Sequence, residues 1–242
     1  MSGAGIFRHI HEKSKVKLTG VFRKKPERID INLPLGIKIN SMIRLDETKF
    51  ITNADVLKVQ SPGGGIHTVV AGEKFMIGSL KVYRFYIEEN ESRNQSVLQI
   101  PVANDEIEGI VLYQIIEEVY PQSDEQWDFW LNEGTGCIGY KDFKIQEEDG
   151  KETLYYRLWG GDERYTKPIF FRSVISTDSY GITGMKTESH GMVYGREISE
   201  TLQEYLFIVH EKLLDNDREL EEAKVVLMAG IDIDLAEIDV LV

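Results

Sequence analysis

Cysteine and histidine are scarce in this 242-residue chain, which makes each a distinct candidate for chemistry. The single cysteine, Cys137, follows Gly136 and carries no local signature of an activated thiol. His190, in Ser189-His190-Gly191, and His210, at the end of an apolar run, are the imidazoles that could meet it in space as a Cys–His pair. A thiolate nucleophile needs such a neighbour to lower its pKa. A glycine-flanked cysteine used simply as a small residue is the plainer reading, and catalysis is not expected there. No G-x-S-x-G elbow occurs. Gly181-Ile182-Thr183-Gly184-Met185-Lys186-Thr187 imitates the end of a phosphate-binding loop. Met185, however, separates the glycine from the lysine, and the upstream glycine is missing, so the lysine would not reach a β- or γ-phosphate. His9-x-His11 could chelate a metal weakly, but reads as a surface feature of a basic segment. Asp232, Asp234, Glu237 and Asp239 supply hard oxygens without the glycine or distant glutamate of a calcium loop. A strand ending in an aspartate helix cap explains them better, and no cofactor or metal is expected.

These residues must be positioned by strands. Ile37, Ile39, Ile43 and Leu45 fall on alternate positions, the period of a half-buried strand. Ser61-Pro62-Gly63-Gly64-Gly65 interrupts any regular element. Strands are predicted at 66–71, 80–87, 96–101 and 107–119, the last long enough to bend or split at Gly109. Ser123 with Gln126 reads as a capping box opening a short helix over 124–131, which places Trp127, Trp130 and Leu131 on one face. Gly134, Gly136 and Gly139 end it. Beyond them Phe143 and Ile145 alternate with polar residues up to Asp149-Gly150, and Leu154, Tyr156 and Leu158 alternate after it, a β-hairpin. Further strands are predicted at 168–176, 191–197, 204–211 and 224–229. Asp215-Asn216-Asp217 marks a turn, 219–223 a solvated or briefly helical piece, and Asp234 a cap for a last helical turn. The fold class is mainly β with few short helices: antiparallel sheets forming one or two barrel- or sandwich-like units. The organisation read from the sequence is a basic arm over 1–32, a first β-rich half over 33–132 and a second over 137–242, with one continuous domain as the alternative.

Charge is distributed unevenly. Residues 1–28 hold eight Lys/Arg against two acids, whereas the remainder holds 20 basic and 39 acidic residues. An acidic body repels nucleic-acid phosphates, so nucleic acid is not an expected partner. The arm interleaves Arg8, Lys13, Lys15, Lys17, Arg23, Lys24, Lys25 and Arg28 with apolar residues such as Phe7. It suits either a solubilising extension or a peripheral contact with an anionic membrane or an acidic partner. No run approaches a membrane span, the N-terminus lacks an apolar signal-peptide core, and one cysteine excludes an internal disulfide. The expected location is cytoplasmic, peripheral to the inner membrane if the arm binds lipid.

Leu33-Pro34-Leu35-Gly36, Glu117 through Pro121 to Trp130-Leu131, and Gly136-Cys137-Ile138-Gly139 occur in an order characteristic of one family. So do Tyr156-Arg157-Leu158-Trp159-Gly160 with Pro168, His190 through Met192-Val193-Tyr194-Gly195-Arg196-Glu197, and Gly230-Ile231-Asp232-Ile233. Together they resemble the YjfK-like family of bacterial proteins, a domain of unknown function, over roughly residues 33–242 with the arm outside. The resemblance carries no catalytic residue across. It implies an accessory or adaptor role at the inner face of the membrane, beside a phage-shock-protein-A-like partner. Arg157, Trp159, His190, Arg196 and Glu197 are the polar or aromatic residues nearest the family-like segments. They are the candidates for a small-molecule-binding or hydrolytic site, against the alternative that both arginines form salt bridges in an acidic sheet surface. A structural homo-oligomer assembled through an edge strand is the third reading.

Overall fold

Strands that alternate buried and exposed residues dominate the computed structural model, which describes residues 27–89, 95–146, 150–215 and 218–241. In chain order they are β1 (Met42–Leu45), β2 (His67–Ile77), β3 (Leu80–Glu89), β4 (Gln95–Ala103), β5 (Glu106–Ile107), β6 (Val111–Val119), β7 (Asp142–Gln146) and β8 (Glu152–Arg157). Then come β9 (Ile169–Ser176), β10 (Gly184–Ser199), β11 (Leu202–Asp215), β12 (Arg218–Asp232) and β13 (Ile238–Leu241). Eight of them close an antiparallel barrel. Its circuit runs β2-β3-β4-β6-β12-β11-β10-β9 and returns to β2. The mainly-β class expected from the sequence is the one observed. The barrel takes four strands from before the 132–137 connection and four from after it.

Strand β9 wedges between β2 and β10. It pairs with β10 along eight residues and with β2 over three, Gly72 to Lys74. Past that wedge β2 pairs with β1, which pairs with β13, while β10 pairs with β8, which pairs with β7. Two outer ribbons therefore splay from the barrel, each leaving an apolar surface to be covered. Beneath β1, β13 and a short helix at Thr48–Thr52 lies one outer core, with Ile37, Ile43, Phe50, Phe85 and Leu112 fully buried. Beneath β7, β8 and the helix Asp124–Leu131 lies another, built on Trp130, Tyr155, Tyr194 and Leu206.

The barrel interior receives a side chain from every strand, among them Phe75, Tyr86, Val97, Tyr113, Phe171, Met185, Phe207 and Val226. It is not wholly apolar. The Arg84 guanidinium lies 4.8 Å from the centroids of both Phe75 and Phe207, donates to Gln99 Oε1 at 2.8 Å and sits 3.6 Å from Glu73. Tyr86 donates its hydroxyl to Glu73 at 2.7 Å, and Lys224 pairs with Glu118 at 2.5 Å. Glu211 stands among these groups with its Oε2 buried and unbonded. A buried charge persists only when paired, and here two cations meet two carboxylates with Glu211 left over.

Several sequence expectations change. Only Met42–Leu45 forms the strand expected from Ile37 onward; Ile37 and Ile39 are buried beside a 3-10 turn at Pro34–Gly36. The run 107–119 splits at Gly109, as its length allowed: Asn104 and Asp105 both adopt positive φ and form a two-residue hairpin turn, Glu106–Ile107 pairs with β4 as a separate short strand, and β6 starts at Val111. Residues 219–223 are not helical. They continue β12, where Glu219 and Ala223 pair with Leu214 and Lys212. Sheet pairing along β11 overrides the helical bias of an acidic stretch. The hairpin of β7 and β8, the helix at Asp124–Leu131 and the Asp234 capping box stand as expected. Among the described residues no helix is long and apolar enough to cross a membrane.

Candidate functional site

Strands β10 and β11 pair about their tight connection so that His190 faces His210 directly. Both project from the outer surface of the barrel, and their rings stack with centroids 5.9 Å apart and 21° between planes. The helix Asp124–Leu131 lies over this end. Ser123 caps it by accepting from Gln126 N, and Asp124 and Glu125 suit the positive pole of its first turn. The cap fixes Trp127, whose ring meets His210 edge-on at 5.2 Å, while Phe170 meets His190 at 5.0 Å.

A cavity of about 570 Å³ opens between helix and barrel, walled by Trp127, Leu131, Tyr165, Pro168 and the two histidines, with Asp124, Glu133, Lys167, Glu188 and Lys212 around them. Its far wall depends on Gly139. This residue holds φ at +116°, and a Cβ there would lie 2.4 Å from Thr166 O. Gly139 O accepts from Thr166 N at 2.8 Å, which seats the chain leading to Tyr165 and Lys167. Lys167 pairs with Glu133 at 2.6 Å, and Arg172 pairs with Glu188 at 2.6 Å, so the acids and cations around the opening largely cancel.

Burial disfavours the imidazolium at both histidines. His210 is driven down to about 4 by burial, with His190 and Lys212 adding repulsion. His190 is lowered by burial, then by Lys167, while Glu188 opposes. Both rings are therefore neutral at pH 7, each offering one N–H donor and one lone pair. His210 is 5% exposed, and its Nδ1 has no hydrogen-bond partner.

Of Arg157, Trp159, His190, Arg196 and Glu197, His190 alone lines this cavity, together with His210, the other imidazole weighed from sequence. Arg157 serves as a staple: it donates to Trp159 O at 2.7 Å, Gly139 O at 2.6 Å and Glu163 O at 2.7 Å, gathering the glycine-rich loops. Trp159 packs half-buried against the outer core beneath the helix. Arg196 binds Glu204, donating at 2.7 Å and 2.6 Å, and reaches Val56 O at 2.5 Å. Glu204, fully buried, also accepts from Lys58 N, Val59 N and the Tyr155 hydroxyl. Glu197 is exposed. Arg196 thus follows the salt-bridging alternative, half-buried itself but with a fully buried carboxylate partner rather than a surface one. Phe7, Arg8, Lys13, Lys15, Lys17, Arg23, Lys24 and Lys25 lie outside the described residues.

Cys137 is absent from the cavity wall, and burial raises its thiol pKa, the reverse of nucleophile activation. Asp234 and Glu237 both pair with Lys49 at 2.9 Å, and Asp232 accepts from the Tyr205 hydroxyl. Among the described residues no three His, Cys, Asp or Glu side chains converge as a metal-ligand set. Thr183, in the segment that imitates a phosphate loop, gives its N–H and hydroxyl to Asp178, and from Gly184 the chain runs into β10, not a helix.

A family model described as a protein of unknown function (DUF2491) matches residues 7–239. The match starts well before residue 33, so it takes in most of the basic segment that the sequence resemblance left outside. No curated protein and no solved structure matches the chain.

Proposed function

We propose that this chain, which belongs to the DUF2491 family, is a binding protein whose cavity at the helix–barrel junction takes a small, planar, uncharged or zwitterionic molecule. The observation that carries the reading is His210, neutral and buried on the cavity wall with an unsatisfied ring nitrogen. Leaving a buried polar atom unpaired costs about 1–3 kcal/mol, which a ligand bearing a matching donor or acceptor recovers. Trp127 and Tyr165 supply flat apolar walls, and the near-cancelling rim charges favour no ionic sign. No serine, threonine or cysteine is found among the cavity-lining residues, which argues for retention of the ligand rather than its covalent turnover. The test is titration of Trp127-dependent fluorescence with two planar heterocycles, adenine and indole. Saturable quenching that His210→Phe weakens supports the reading. No saturable binding, or binding indifferent to His210 and Trp127, removes it.

The extent of the family match favours a second reading, because it places most of the basic segment inside the family's unit. On it, Phe7, Arg8, Lys13, Lys15, Lys17, Arg23, Lys24 and Lys25 contact anionic lipid at the inner face of the membrane, where the protein acts as accessory to a phage-shock-protein-A-like partner. Capture of that partner by the intact protein, and its loss when these cations are changed to glutamine, is the expected result. Equal recovery by both forms refutes it.

A further inference from the structure

A second cavity, of about 460 Å³, lies on the outside of the barrel where β9 closes onto β2. Register builds its floor. Phe85 of β3, Gly72 of β2 and Ser176 of β9 stand in one row, and Tyr83, Lys74 and Val174 stand in the next. Ile29, Leu33 and Ile39, from the chain before β1, complete the wall. That stretch is pinned to the barrel, since Arg28 donates to Ser179 Oγ at 3.0 Å and Ile29 N to Ser179 O at 2.8 Å. The space exists because position 72 has no side chain. A Cβ there would meet only Ile39 Cγ1, at 3.9 Å, so no neighbour has moved in to fill it. Gly72 is not among the positive-φ residues, so the backbone does not demand glycine. A glycine inside a strand weakens it, and one kept without a backbone reason marks close approach by another group.

Two polar groups stand on this largely apolar wall without a polar partner. Ser176 is only 7% exposed and shares a face of β9 with Val174, and its hydroxyl has no hydrogen-bond partner among the described residues. The Lys74 ammonium rests 5.5 Å from the Tyr83 ring centroid and forms no ion pair among the described residues. Lys74 and Ser176 are diagonal neighbours across the β2–β9 seam, a spacing that a long side chain spans. The acids of the wall are already engaged. Glu73 turns into the barrel and accepts from Tyr86, while Asp30 accepts from Arg28 at 2.8 Å and 2.7 Å and from Ile39 N at 3.2 Å. The charge left to a ligand is therefore the lysine's.

We propose that this cavity binds a small monocarboxylate with an apolar body. Its carboxylate accepts from the Ser176 hydroxyl and from Lys74, and its hydrocarbon lies over Gly72 against Phe85, Val174 and Ile39. Such a ligand satisfies a hydroxyl that is otherwise buried without a partner, and the few polar groups fix its orientation while the apolar wall supplies contact area. No lining residue is common to this cavity and the one at the helix–barrel junction, so either can fail as a site without the other.

The experiment is isothermal titration calorimetry of the full-length protein with octanoate, and with 1-octanol and octylamine as its uncharged and oppositely charged counterparts. The parent is expected to bind octanoate saturably and at least about tenfold more tightly than either counterpart. Gly72→Leu fills the cavity and should abolish binding while melting no lower than the parent. Lys74→Met should weaken binding at least about fivefold, and Ser176→Ala about threefold. No saturable binding of octanoate, or undiminished binding by a folded Gly72→Leu, would overturn the site. Octanol binding as tightly as octanoate, with Lys74→Met indifferent, would overturn the carboxylate assignment. Should Gly72→Leu melt early, the two milder variants decide: parent-like binding by both overturns the proposal, and weakening by both supports it.

Discussion

Glu211 gives the sharpest test of the barrel interior. It faces Glu73, Arg84, Tyr86, Glu118 and Lys224 inside the ring, where Arg84 is answered by Glu73 and Lys224 by Glu118. Ionised Glu211 would be a third carboxylate for two cations. Burial raises its pKa above the ordinary 4.5; Lys224 and Arg84 work against the rise, and Glu73 and Glu118 add to it. Glutamine keeps the shape and removes the proton equilibrium. Below the ordinary value both folded and unfolded Glu211 are protonated, so the two proteins should differ little. As pH rises the unfolded chain releases its proton first. The folded state then holds more protons, and stability falls with pH until the folded pKa is passed. Each pH unit in that window costs the parent about 1.4 kcal/mol relative to Glu211→Gln. Urea denaturation followed by tryptophan fluorescence, from about pH 5 to about pH 8, reads the difference directly, because other titrating groups cancel. The glutamine variant should gain on the parent as pH rises above 4.5, until the raised folded pKa of Glu211 is passed. A difference that stays flat with pH would refute the neutral-acid argument.

Three further outcomes follow from the geometry. Proton NMR should find His210 titrating at about 4, well below the ordinary 6.5; because the unfolded chain takes up that proton first, this residue's stability contribution is lost as pH falls from 6.5 through 4, and a midpoint near 6.5 would contradict its burial. Glu204→Ala should cost about 3–5 kcal/mol in chemical denaturation, since it strands Arg196, the Tyr155 hydroxyl and two backbone N–H groups; a loss below about 1 kcal/mol would mean water replaces the carboxylate easily. Gly191→Ala places a Cβ 2.6 Å from the Phe207 ring and should lower stability by about 1–3 kcal/mol in the same assay, whereas a neutral result would show that the ring shifts freely.

Much of the cavity's core was within reach of the sequence. The strands expected at 191–197 and 204–211 are consecutive, and their pairing, symmetrical about residue 200, sets His190 opposite His210 and Arg196 opposite Glu204. The helix carrying Trp127 was legible from its cap. Lys167 and Tyr165 were not, because their approach depends on the unusual φ of Gly139 and on a hydrogen bond across 27 residues. Arg157 looked like a ligand-binding group because a charged residue among glycines and aromatics resembles a site; only the carbonyls it collects show that it tethers loops. Barrel closure was invisible for a related reason. Alternation reports which face of a strand is buried but is silent about which edge meets which, and β9 reads the same whether its neighbour is β2 or solvent.

That closure has a consequence for how the protein is made. The seam joins residues 72–74 to residues 174–176, roughly a hundred positions apart, so on the ribosome the early strands emerge long before the one that completes the circle. Until then β2 offers a bare edge to any passing strand. Severing the gene between residues 132 and 137 should yield two fragments that each carry half a ring with open edges, soluble only when produced together.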